Sequence, residues 1–182
     1  MKKEKTKKSA LFKIILTAIL IALNVILERL LAYSVWNQTI SFGFIVVAFA
    51  AAFLGTPYAV AVAGFGDIIG SVLLPFGPYF PGFTATNCIY ALILAEFIYK
   101  NATPVKCILS VVATKLVCSL TLNTLWVSIL YRGGVDAFFP VLITRLPQTA
   151  IMTVVEIFVL LLVFSSKSKI RQTLQKNITK FL

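Results

Sequence analysis

Apolar positions along this chain fall in long unbroken runs, separated by short polar or proline-rich segments. The runs predict helical spans over residues 11–33, 42–54, 58–74, 83–99, 107–131 and 138–164. A bilayer crossing takes roughly 20 apolar residues, and most of these runs supply that. Continuous apolarity also argues against a transmembrane barrel, whose strands alternate apolar and polar positions. The run at 42–54 is the short one, reaching only ~20 Å at a rise of 1.5 Å per residue. Gly55-Thr56-Pro57 turns the chain tightly after it. The segment 75–82 (PFGPYFPG) holds three prolines, which lack N–H donors and fix φ, so it is expected to be irregular. The fold class predicted is an all-α integral membrane protein of six transmembrane helices, a single domain over 1–182 with basic tails at 1–10 and 166–182.

Composition supports this class. Of 182 residues, 59% are hydrophobic and 13% charged, too few to cover a soluble core. The net charge of +11 is carried by the flanks: Lys2, Lys3, Lys5, Lys7, Lys8 and Lys13 precede the first run, and Lys167, Lys169, Arg171, Lys176 and Lys180 follow the last. With an even number of spans, both tails share a side with Lys100 and Lys106, leaving only Arg132 in the opposite loops. The positive-inside rule then predicts a multi-pass cell-membrane protein with both termini cytoplasmic. This distribution suits a lipid surface better than a nucleic-acid partner. The first run is longer than a signal-peptide core and lacks a small-residue exit, so it is read as a span.

Catalytic chemistry finds little support. The chain has no histidine, which removes Ser-His-Asp triads and histidine-based metal motifs, and no phosphate-binding P-loop. Cys88, Cys107 and Cys118 form no C-x-x-C pair and read as core residues rather than a disulfide or metal site. The run Gly64-Phe65-Gly66-Asp67-Ile68-Ile69-Gly70 has the wrong spacing for a dinucleotide fingerprint and reads as small residues for close helix packing. Neither a catalytic residue nor a resident cofactor or metal is expected.

The informative residues are the costly ones. An ionisable side chain near mid-bilayer costs about 2.5 kcal/mol or more, so it faces a cavity or a partner. Glu28, Arg29, Asp67 and Arg145 gather in the outer half of the predicted bundle. Thr84, Asn87, Ser119, Asn123, Trp126 and Gln148 lie at similar depth, with Trp36, Phe42, Tyr79, Phe80 and Phe83 above them. Together they predict a pocket with arginines for oxygen-rich groups, amides for heteroatom edges and rings for stacking. Other readings stand beside it. The arginines pair with Glu28 or Asp67 as structural bridges, the amides tie helices together, and the tryptophans belong to an interfacial belt. In the inner halves, Lys115 is expected to snorkel, Glu96 to approach Lys100, and Glu156 finds no evident partner.

The order of spans, the short second span, the A-x-x-x-A of Ala18 and Ala22, the stretch Gly66–Gly70, the proline-rich 74–84 and Arg145-Leu146-Pro147-Gln148 together resemble the substrate-binding S components of energy-coupling factor (ECF) vitamin transporters. Within that family the chain is most similar to the folate-specific branch. The resemblance implies a vitamin-capturing subunit that hydrolyses nothing itself, working with a transmembrane coupling subunit and two ATP-binding cassette ATPases. It also implies that Ala18 and Ala22 meet the coupling subunit. Loops 36–41 and 75–82, over the mouth of the predicted pocket and without predicted regular structure, are expected to be lids. The substrate set expected is Arg29, Trp36, Asp67, Tyr79, Phe83, Thr84, Asn87, Asn123, Trp126, Arg145 and Gln148. Alternatives are an S component for riboflavin, pantothenate or thiamine, or a membrane scaffold without transport. Bulky replacements at Ala18 and Ala22 are expected to spare ligand binding and weaken co-purification with a coupling subunit. Unchanged co-purification would count against that interface.

Overall fold

The fold follows from where the apolar runs stop. In the computed structural model, described for residues 2–35, 38–99, 102–164, 172, 173 and 176, the elements are α1 (Lys2–Val25), β1 (Tyr33–Val35), β2 (Gln38–Ile40), α2 (Gly43–Phe53), α3 (Thr56–Leu73), α4 (Pro81–Ile98), α5 (Pro104–Thr114), α6 (Thr124–Tyr131) and α7 (Phe138–Val163). Residues 2–9 and 33–40 are described by their backbone alone. Wider π-helical turns extend α1 through Ile26–Leu30 and join α5 to α6 through Lys115–Asn123. Five helical rods are long and apolar enough to cross a bilayer, and α2 is a shorter apolar helix.

Several boundaries shift from the sequence expectation. The first helix ends at Leu30, and Tyr33 opens a two-stranded antiparallel ribbon rather than closing the span. Pro81 and Gly82 open α4 instead of continuing the irregular segment. A proline at the first helical position has no N–H to leave unsatisfied, and its φ already suits a helix. Pro147 lies inside α7, which continues through it to Val163. Trp36, Lys100 and the tail at 166–182, apart from three isolated positions, fall outside the described residues.

The apolar core fills one end of the bundle. Ala48, Ala50 and Ala51 of α2, Leu94, Ala95 and Ile98 of α4, Val111 of α5 and Leu160 of α7 are all fully buried there. Gly55, at φ +100°, makes the turn between α2 and α3, with the Tyr99 ring against it. From that turn α2 rises only about 16 Å, to the level of Asp67 on the adjacent α3. Its first residue, Gly43, lies against Asn24 and Glu28 of the first helix.

α3 is the central packing partner, in contact with α1, α2 and α4. Its glycines explain how. A Cβ at Gly66 would come within 2.6 Å of Asn24 Nδ2, and one at Gly70 within 3.0 Å of Arg29 Nε, while Gly64 faces Cys88 of α4. The helix therefore uses missing side chains to admit polar groups of the first helix on one face and α4 on another. Asn24 is 1% exposed and cannot swing clear. Gly66→Val is accordingly expected to destabilise the protein by about 1–3 kcal/mol, read as a lower melting temperature in detergent. An unchanged melting point would show that α1 and α3 do not approach this closely.

Candidate functional site

Opposite the apolar core, the helices enclose a cavity of about 700 Å³. Its lining comes from every helical rod. Asn24, Glu28 and Arg29 come from the first helix and its wide turn, Asp67 and Ser71 from α3, and Phe83, Thr86, Asn87 and Tyr90 from α4. Arg145, Thr149, Met152 and Glu156 come from α7. The segment between α3 and α4 covers it as a strap, contributing Phe76, Gly77, Pro78, Tyr79 and Phe80.

The α5–α6 rod shows why sequence spacing alone misplaces part of this wall. Lys115, Ser119, Asn123, Val127 and Tyr131 all line the cavity, each four residues after the last. In an α-helix, turning about 100° per residue, Lys115 and Tyr131 would point about 160° apart. The π-helical Lys115–Asn123 turns more slowly per residue and holds the stripe on one side. Thr121 and Thr124 donate to carbonyls five residues back, at 2.9 and 3.1 Å, which fits that wider winding.

Charge is compensated through a shared network near the strap. Arg29 Nη2 donates to Asp67 Oδ1 at 3.0 Å and to Ser71 Oγ at 2.8 Å. Thr84 Oγ1 donates to Asp67 Oδ2 at 2.5 Å, and the Tyr79 hydroxyl lies 3.1 Å from the same Thr84 oxygen. The Arg29 guanidinium also sits over the Phe76 ring, 5.0 Å from its centroid. Thus the alternative of a structural bridge and the expectation of a cavity wall both hold for Arg29 and Asp67. Glu28 accepts from Asn24 Nδ2 at 2.8 Å. Arg145, 6% exposed, donates to the Asn123 carbonyl at 3.4 Å.

Of the expected substrate set, Arg29, Asp67, Tyr79, Phe83, Asn87, Asn123 and Arg145 line this one cavity. Thr84 supports it through Asp67. Trp126 stands behind the strap, its Nε1 donating to Thr86 Oγ1 at 3.1 Å and its ring 5.3 Å from Phe80. Gln148 is half-buried beside the lining, with Nε2 accepted by no group among the described residues. The α7 stripe runs 145, 149, 152, 156, so the next turn from Arg145 presents Thr149 rather than Gln148. Ala18 and Ala22 are exposed on α1, uncovered by any other span of this chain.

Two inner-half expectations are overturned. Lys115 does not snorkel, and Glu156 does not lack a partner: the two form an ion pair across α5 and α7 and both line the cavity. Each charge answers the other, which removes the need for a path to the interface. Glu96 accepts from Thr56 Oγ1 at 3.4 Å. Sequence reasoning also missed Asn24, whose signal was its position four residues before Glu28.

Asp67→Leu strands the buried Arg29 and is expected to cost about 3–5 kcal/mol, while Arg29→Met with Asp67→Leu should recover most of that. Thermal unfolding of both variants checks this. Equal losses would mean that the pair does not hold the helices.

Residues 12–164 match the ECF transporter, substrate-specific component, family. The chain is 35% identical over 136 residues to the folate transporter FolT of Clostridium novyi (strain NT), covering 74% of this chain and 77% of that protein. It is 29% identical over 147 residues to the folate transporter FolT of Leuconostoc mesenteroides subsp. mesenteroides, covering 79% of each. A crystal structure of FolT bound with folic acid matches with a TM-score of 0.74 and 31% identity, over 80% of this chain and 88% of that one.

Proposed function

The chain belongs to the ECF transporter substrate-specific component family, and we propose that it is the folate-binding S component of an ECF-type importer. It captures the vitamin from outside and delivers it together with a coupling module. The observation that carries the reading is a cavity in which charged and amide side chains from five rods converge beneath an aromatic strap. Folate is a flat pterin joined through a benzoyl group to a glutamate. A site for it needs ring faces, paired donors and acceptors for the pterin edge, and cations for carboxylates. Phe83 and Tyr79 offer the rings, Asn87 and Asn123 the amides, and Arg29 and Arg145 the cations. The two relatives and the ligand-bound structure named above support folate over the other vitamins.

The protein is not itself an enzyme in this reading. ATP is hydrolysed by two cassette ATPases bound to a transmembrane coupling subunit, which docks at the exposed Ala18 and Ala22 of α1. Small residues there let another helix approach closely. The chain sits in the cell membrane with both termini cytoplasmic, which puts the strap end of the cavity outside. Supporting this orientation, Lys13 and Lys106 lie at the opposite end from Arg132.

Titration of the detergent-purified protein tests the reading. We expect saturable folic acid binding with a Kd well below micromolar, accompanied by a change in tryptophan fluorescence, since Trp126 braces the strap. Tight binding of riboflavin, pantothenate or thiamine with none of folic acid would overturn it.

A further inference from the structure

The cavity carries two charged pairs, and they differ in what they leave unused. In the Arg29–Asp67 pair, both carboxylate oxygens accept bonds and the guanidinium also holds Ser71 and Phe76. No carboxylate oxygen of that pair is left without a donor. The Lys115–Glu156 pair leaves one. An ammonium has three N–H donors, and Glu156 takes one of them. Glu156 Oε2 is buried and meets no donor at full hydrogen-bond geometry among the described residues, although the buried Tyr90 hydroxyl lies beside Glu156. The side chains are only 12% and 5% exposed, so bulk water does not freely serve the remainder.

Position adds a second argument. Val111 and Leu160, each four residues from one member of the pair, are fully buried core residues. Lys115 and Glu156 therefore form the first polar layer above the dry core, at the floor of the cavity. Glu156 is eighteen residues into α7 from Phe138, about 27 Å from that helix end. A buried ion pair is rarely the most stabilising way to fill such a place, because desolvation offsets much of its attraction. An adjacent donor and acceptor at the closed end of a ligand-sized chamber is instead what a heteroaromatic edge needs.

Resting on the folate reading above, we propose that Lys115 and Glu156 are the specificity-determining pair for the ligand head group. Glu156 accepts from the ring N–H and exocyclic amine of a 2-amino-4-oxo-pyrimidine edge, and Lys115 donates to the neighbouring ring carbonyl. The bicyclic head enters first and the dicarboxylate tail lies toward the mouth, where Arg132 lines the rim. The chamber therefore selects 4-oxo over 4-amino forms of the same ligand, because the 4-amino group replaces the acceptor that Lys115 meets by another donor.

Two measurements test this, both on the full-length protein in detergent. In the first, folic acid and its 4-amino-4-deoxy analogue are titrated against wild type and Lys115→Met. Wild type is expected to prefer folic acid by about tenfold or more, the size of a hydrogen bond to a charged group. Lys115→Met should shrink that preference to about twofold or less. An unchanged preference, or none in wild type, overturns the assignment. In the second, the charge-swapped Lys115→Glu with Glu156→Lys keeps an ion pair but reverses donor and acceptor. We expect its melting temperature to stay near wild type while folic acid affinity falls at least about tenfold. Recovery of both would make the pair a helix tie only and overturn the proposal. If the swapped protein does not fold, the Lys115→Met titration decides alone. Wild type that binds another vitamin and no folic acid overturns the folate reading and this assignment together. Wild type that binds folic acid with no 4-oxo preference overturns this assignment alone.

Discussion

The bilayer sets the controlling constraint: a charge removed from water inside it must be answered by another group or by a wet cavity. This chain meets that constraint by concentrating its polar side chains above one level. Below that level Leu94, Ile98, Val111 and Leu160 pack dry. Above it, Arg29, Asp67, Ser71 and Thr84 satisfy one another across three helices. Gly66 and Gly70 are part of the same solution, because only a helix surface without side chains lets Asn24 and Arg29 lie so close to α3.

Backbone winding is the second device. The wide turns at Ile26–Leu30 and Lys115–Asn123 carry Glu28, Arg29, Lys115, Ser119 and Asn123. Wider helical turns are often found at functional sites. Here their effect is geometric, since they keep a four-residue stripe aimed inward over a length at which an α-helix would have rotated it away. The strap completes the chamber from above. Phe76 is held by Arg29, Tyr79 by Thr84 and Phe80 by Trp126, so the cover is fastened to the same residues that build the walls.

These features connect family and site. The function proposed above needs a selective cavity and, elsewhere, a docking surface, and that proposal places both along the first helix. Asn24, Glu28 and Arg29 face the cavity near one end, while Ala18 and Ala22 are exposed further toward the other.

Apolar run length and charge placement were enough to establish the membrane class, the helical spans, the short second helix and the set of costly side chains. Those properties are legible in one dimension because lipid acts on every segment alike. Asp67, Arg29, Asn87, Asn123 and Arg145 were found this way, since each is expensive wherever it sits in its span. The Lys115–Glu156 partnership, the role of Asn24, the placing of Thr149 instead of Gln148 and the bracing position of Trp126 were not. They depend on which face a helix turns toward its neighbours, and the π-helical turns break the 3.6-residue period by which a face is read from sequence. Local chemistry thus determined that charges must be hidden. Only the packing of α3 against α1 and α4, and of α5 against α7, decided which charges meet and where they leave room for a ligand.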